Sequence, residues 1–189
     1  VVSGGQTMNP STKDLLDAVE RVNADAVIIL PNNSNIIMAA QSAAGLSEVP
    51  CAVVPTKSVP QAFSALFSAD ETASLEENVE NMTSAFADTK TGEVTTAIKD
   101  SKDAHDNPIH NGDVIGIADG SIEAVGSSVE DVVMSLLDTM EAEDADTLTL
   151  LAGEDFSDER MSALVERIEE RFDELEVDAQ RGEQPLYPI

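Results

Sequence analysis

Tryptophan is missing from this chain of 189 residues, and aromatic side chains make up only 3% of it. Its core must therefore come from Val, Ile, Leu and Ala, which suits packed α/β layers. There is one cysteine, so no disulfide forms within the chain, and a reducing, cytoplasmic setting is expected. Cys51 opens an apolar run and reads as a small buried hydrophobe rather than a reactive thiol. Basic residues are few, with 10 Lys and Arg against 37 Asp and Glu, a formal net charge of −27. That balance excludes a nucleic-acid backbone or an anionic membrane surface as the main partner. No apolar run approaches the length of a spanning helix, and no signal peptide is visible. The chain opens on two valines without an initiator Met, as an excised piece of a longer protein would.

Motifs that carry chemistry are also scarce. There is no GxxxxGK[ST] loop, no GxSxG elbow, no HExxH and no CxxC. His105 and His110 stand in an Asp-rich loop without the Cys or third His of a zinc site, so no metal is expected. Gly153-Glu154-Asp155 precedes a helix, where carboxylates complement the dipole. No nucleophile–base pair supports an autonomous phosphatase, and no catalytic residue is assigned.

What is present is a repeated sentence. Three times in the first seventy residues an apolar run leads into a small polar loop and then an amphipathic helix. The units are Val1-Val2 into SGGQTMNPST, 26–30 into PNNSN, and 51–54 into PTKSVPQ. Strand, loop and helix in succession are the βαβ grammar of a parallel sheet, whose loops leave the carboxyl ends of the strands together. Three loops distant in sequence should thus converge on one edge. The candidate binding residues there are Ser3, Gly4, Gly5, Gln6, Thr7 and Asn9, then Asn32, Asn33 and Asn35, then Thr56, Lys57 and Ser58. The two glycines permit close backbone approach, and the remaining side chains supply neutral donors and acceptors. Lys57 is a rare cation beside a helix N-terminus, suited to a carboxylate, a phosphate or a partner's acidic residue.

Helical spacing predicts helices over 13–22, capped by Ser11 or Thr12, and around Ala39, Ala40, Ala43 and Ala44, with the Asn cluster as caps. A third starts at Ser58, with Val59, Ala62, Phe63, Leu66 and Phe67 on one face, and a fourth spans 73–87. The grammar changes near Thr91-Gly92. Strands are expected over 93–98, 114–117 and 122–125, with a loop over 100–112 and a hairpin turn at Asp119-Gly120. Ser127 and Glu130 read as a capping box for a helix with Val129, Val132, Val133, Leu136, Leu137 and Met140. A strand over 147–151, a helix capped by Ser157 and a strand carrying Leu175 and Val177 follow. The expected fold is α/β and two-lobed, with parallel or mixed sheets covered by helices. The first lobe is 1–90, with three strand–loop–helix units, and the second, mixed lobe is 91–189.

The strings SGGQTMNPST, ILPNNSNI, VVPTKSVPQAF, TGEVTTAIKDS, GDVIGI, LAGED and GEQPLYPI occur in this order from end to end. Together they resemble the carboxyl-terminal domain of the bacterial fatty acid kinase, also known as a dihydroxyacetone-kinase-like or "Dak phosphatase" protein. The resemblance implies a two-lobed α/β fold similar to the fatty-acid-binding protein and to the substrate subunit of dihydroxyacetone kinase. It implies a domain that is not itself catalytic and that engages the fatty-acid-binding protein for acyl-phosphate formation in phospholipid synthesis. ATP and magnesium would belong to an amino-terminal domain, leaving this fragment without a cofactor. The remaining domains of its own chain would be further partners. The alternative is a small-molecule or regulatory site for a fatty acid or phosphorylated metabolite at the same loops. Both histidines lie outside the three loops, so the covalent sugar binding of the sugar kinases is not implied.

Overall fold

The structure is a computed structural model and describes residues 1–2, 9–103 and 106–189. The chain divides into two compact units, Val1–Thr89 and Lys90–Ile189.

Unit 1 runs α1 (Thr12–Val22), β1 (Val27–Ile29), α2 (Ile37–Leu46), β2 (Cys51–Val53), α3 (Val59–Phe67) and α4 (Leu75–Ala85). Ser11 caps α1 in a reciprocal box: its Oγ accepts from the Asp14 N–H at 3.2 Å, and the Asp14 carboxylate accepts the Ser11 N–H at 2.9 Å. Asn23 ends the helix in the left-handed region, at φ 53°. β1 and β2 pair in parallel, Val27 opposite Cys51 and Ile29 opposite Val53. Alternation along a strand then assigns the faces. Ile29 and Val53 pack with Leu15 of α1 and Ala40 and Ala43 of α2. Ile28 and Leu30 pack with Ala65 of α3 and Met82 of α4. Ala40 and Ala43 have no exposed surface, so small side chains set a close helix–sheet approach.

Two expectations fail here. Val1 and Val2 belong to no strand and are exposed, so among the described residues unit 1 shows the strand–loop–helix units that start at β1 and β2. The Asn cluster does not cap α2. Ile36 is the N-cap residue without a side-chain bond, and Asn33 instead folds a local turn, its Oδ1 accepting the Asn35 N–H at 2.9 Å.

Unit 2 contains β3 (Gly92–Thr96), β4 (Ser101–Lys102), β5 (Pro108–Ile109), β6 (Val114–Ala118), β7 (Ser121–Gly126), α5 (Val129–Thr139), β8 (Thr147–Ala152), α6 (Asp158–Arg171) and β9 (Glu176–Arg181). β3, β6 and β7 form an antiparallel sheet in the order β3-β6-β7, and β8 and β9 pair in parallel. Asp119 and Gly120 both have positive φ, 48° and 87°, as the tight β6–β7 hairpin requires. The Asp-rich stretch expected as a loop contains the short β4–β5 pair. The cap of α5 is Ser128, not Ser127: the Asp131 N–H donates to Ser128 Oγ at 3.2 Å, and that hydroxyl donates to Asp131 Oδ2 at 2.8 Å. Starting at Val129 turns Val132, Val133, Leu136 and Leu137 into the core. α5 sits so close to β6 that a Cβ on Gly116 would lie 2.9 Å from Val132 Cγ1. A large cluster has Phe156, Leu164 and Ile168 wholly buried beside Val94, Val132 and Leu150, and a smaller one gathers Ala97, Ile109 and Ile115.

The last residues join the two sheets. The Val94 N–H donates to the Ile189 carbonyl at 2.8 Å, and the Gly153 N–H to that of Pro188 at 3.0 Å. A Cβ on Gly153 would meet the Tyr187 carbonyl oxygen at 2.2 Å, so only glycine admits this crossing. No helix among the described residues is long and apolar enough to cross a membrane.

Candidate functional site

Parallel pairing of β1 and β2 sends their following loops to the same edge of unit 1. The ladder continues past the strands, with the Val54 N–H donating to the Ile29 carbonyl at 3.1 Å. Beyond it the two loops are clipped together by one residue pair. Thr56 is completely buried; its Oγ1 donates to Asn32 Oδ1 at 2.8 Å and accepts the Asn32 N–H at 3.2 Å. Asn32 takes φ 57°, a left-handed conformation that Asn tolerates better than most side chains. A threonine and an asparagine 24 positions apart thus satisfy each other and fix both loop entries.

From this clip the loops turn outward. Asn33 and Asn35 are exposed, as is the Lys57 side chain. Ser58 caps α3, its Oγ accepting the Gln61 N–H at 3.3 Å. The Gln61 side chain reaches back to accept the Lys57 N–H at 2.8 Å. Gln61 was not singled out by sequence reasoning, although Ser-x-x-Gln is the capping-box spacing. Asn9 is exposed, while Ser3, Gly4, Gly5, Gln6 and Thr7 lie outside the described residues. The structure therefore brings Asn32, Asn33, Asn35, Thr56, Lys57 and Ser58 to one edge. Chemically this edge offers neutral donors and acceptors and one ammonium group at a helix N-terminus.

α3 departs from expectation. Of the residues expected on one face, only Ala62 is buried, together with Ala65; Val59, Phe63, Leu66 and Phe67 are exposed. The helix is amphipathic, with Gln61 and Ser64 away from the large apolar side chains, yet the small Ala62 and Ala65 make its buried side.

Other reactive groups are unremarkable. Cys51 is half-buried, and burial pushes its thiol pKa up, away from a thiolate. His110 is exposed, its Nδ1 4.0 Å from Asp100 Oδ1. Among the described residues no group of three His, Cys, Asp or Glu side chains is placed to hold a metal.

These observations define an α/β chain whose first unit carries a polar loop edge and an outward apolar helix. It belongs to the FakA-like C-terminal family, the carboxyl-terminal domain of proteins like fatty acid kinase A, whose sequence profile matches residues 1–189. It is 45% identical over 188 residues to Protein YloV of Bacillus subtilis, covering 99% of this chain and 34% of that protein. An uncharacterized protein of Staphylococcus haemolyticus is 40% identical over 187 residues, again with 34% of its length covered. One from Staphylococcus aureus is 38% identical over the same span. The chain thus spans about a third of these relatives, 34% of each. Its fold is similar to that of the fatty acid kinase (Fak) B3 protein of Streptococcus pneumoniae loaded with linoleic acid. The TM-score is 0.62 at 15% identity, covering 95% of this chain and 73% of that one.

Proposed function

We propose that this chain is the non-catalytic carboxyl-terminal domain of an ATP-dependent fatty acid kinase. In this reading it docks the kinase's fatty-acid-binding protein, whose bound carboxylate becomes an acyl phosphate for phospholipid synthesis in the cytoplasm. The observation that carries the reading is the family match along the whole of residues 1–189. The loop edge supports it, because docking requires shape and hydrogen bonds but no reactive group. Asn32, Asn33, Asn35, Thr56, Lys57 and Ser58 are the proposed contacts, with Ser3, Gly4, Gly5, Gln6, Thr7 and Asn9 from the first loop. ATP and magnesium are assigned to a part of the longer protein outside these residues. Lobes at 1–90 and 91–189 remain the proposed domain division.

A second reading draws on the linoleic acid in the Streptococcus pneumoniae structure. Here the same edge holds a fatty acid or a phosphorylated metabolite, with Lys57 facing its anionic group.

Calorimetric titration with the organism's own fatty-acid-binding protein tests docking. Lys57→Ala, and Asn33→Ala with Asn35→Ala, should leave the fold intact and weaken the partner about five- to tenfold, while nucleotide affinity of the full-length kinase stays unchanged. No binding by the folded chain sinks the docking reading. A thermal shift with linoleate or inorganic phosphate that Lys57→Ala abolishes favours the second.

A further inference from the structure

Helix α3 is built for an interior but faces outward. Its sequence, VPQAFSALF, carries no charge. Ala62 and Ala65 are buried, whereas Val59, Phe63, Leu66 and Phe67 are 44%, 43%, 52% and 90% exposed. Their spacing of four, seven and eight places them in one stripe. Isolated exposed apolar residues are ordinary, but a stripe containing two phenylalanines in a chain so poor in aromatics is not.

Charge supplies the second observation. Residues 31–69 contain Glu48 and Lys57 as their only charged side chains, so the entire formal charge of −27 falls on the rest of the sequence. The neutral stretch ends abruptly at Asp70 and Glu71, and α4, packed against α3, exposes Glu76 and Glu80. The stripe is a neutral apolar island with an acidic border.

We infer that the outward face of α3 is a docking surface for a protein patch that is apolar at its centre and rimmed by Lys and Arg. This rests on the docking reading above and names its surface. A basic rim complements Asp70, Glu71, Glu76 and Glu80, whereas a second copy of this chain would set like charge against like charge around the same centre. The phenylalanines are the anchors, as large desolvated side chains at an interface centre usually are. The stripe continues from the loop edge, since Ser58 caps α3 and Lys57 precedes it.

The test is Phe63→Ser with Phe67→Ser in the full chain, titrated by calorimetry against the organism's fatty-acid-binding protein. Expected is a rise in Kd of at least about tenfold with an unchanged circular dichroism spectrum. Phe63→Leu with Phe67→Leu, which keeps the face apolar, should bind within about threefold of wild type. Wild-type affinity should fall several-fold between about 0.05 M and about 0.5 M salt as the rims are screened. Unchanged affinity of the folded serine variant overturns the surface while leaving docking intact. Affinity that rises with salt overturns the basic rim. A wild-type dimer that the serine variant abolishes assigns the face to a second copy and overturns the proposal. Absence of any wild-type binding removes the docking reading itself, and this surface with it.

Discussion

The two units use their residues for different ends. Unit 2 gathers Phe156, Leu164, Ile168, Val132 and Leu136 into one large cluster, beside a smaller one around Ala97, Ile109 and Ile115, and its charged surface braces its own helices. Three arginines of α6 pair with three acids of α5: Arg160 with Glu130, Arg167 with Asp131 and Arg171 with Asp138, at 2.7, 2.8 and 3.1 Å. Arg160 also lies over the Phe156 ring at 4.5 Å. Unit 1 divides its interior into two small clusters across a two-stranded sheet, rich in alanine, and leaves its two α3 phenylalanines outside. A unit that spends apolar residues on its core and charges on its own helices is self-sufficient. A unit that leaves two phenylalanines of one helix exposed offers the surface on which docking is proposed. That contrast is the physical basis for placing the interaction surface on unit 1.

The largest test of the contrast is Phe156→Ala. The side chain has no exposed surface, and its removal should cost about 3–5 kcal/mol. Tyr187 is the only tyrosine and there is no tryptophan, so intrinsic fluorescence in a urea titration reports unit 2 alone. A loss under about 1 kcal/mol would mean that unit 2 is not held by this cluster. Next in size is Thr56→Val, which keeps the shape but strands the Asn32 amide and carbonyl. It should cost about 1–2 kcal/mol in unit 1, read by circular dichroism melting, and leave the Tyr187 transition in place. An unaltered melt would show that the loop clip contributes nothing.

The smallest effect is a pH-dependent one. The hydrogen bond from Arg160 holds the Glu130 carboxyl below the usual range. A carboxylate with a depressed folded pKa contributes stability above its unfolded pKa and loses that contribution as pH falls through the folded value. Because both side chains are partly exposed, Arg160→Ala should cost no more than about 1 kcal/mol at pH 7. The difference from wild type should shrink below about pH 4, where Glu130 takes up its proton in either protein. A difference as large at pH 3 as at pH 7 would assign it to the contact with Phe156 instead.

Local chemistry made much of this structure readable in advance. The serine caps Ser11, Ser58 and Ser157, the Asp119-Gly120 turn and the buried face of α5 each depend on residues within one turn of each other. Where two serines adjoin, at Ser127 and Ser128, spacing alone does not choose, and core packing of α5 decides. Convergence of the second and third loops followed from parallel-sheet grammar, but their clip did not. Asn32 read as a helix cap because nothing near it in sequence reveals the hydroxyl of Thr56. The outward face of α3 was hidden because its spacing points Val59, Phe63, Leu66 and Phe67 inward, whereas Ala62 and Ala65 make the buried contact.

Hydrogen exchange of the chain, alone and saturated with the organism's fatty-acid-binding protein, tests most directly whether unit 1 carries the interface. The expected result is new protection over residues 32–35 and 56–67, with the amides of β8 and β9 unchanged. Protection confined to unit 2, with residues 56–67 exchanging as in the free chain, would contradict the assignment.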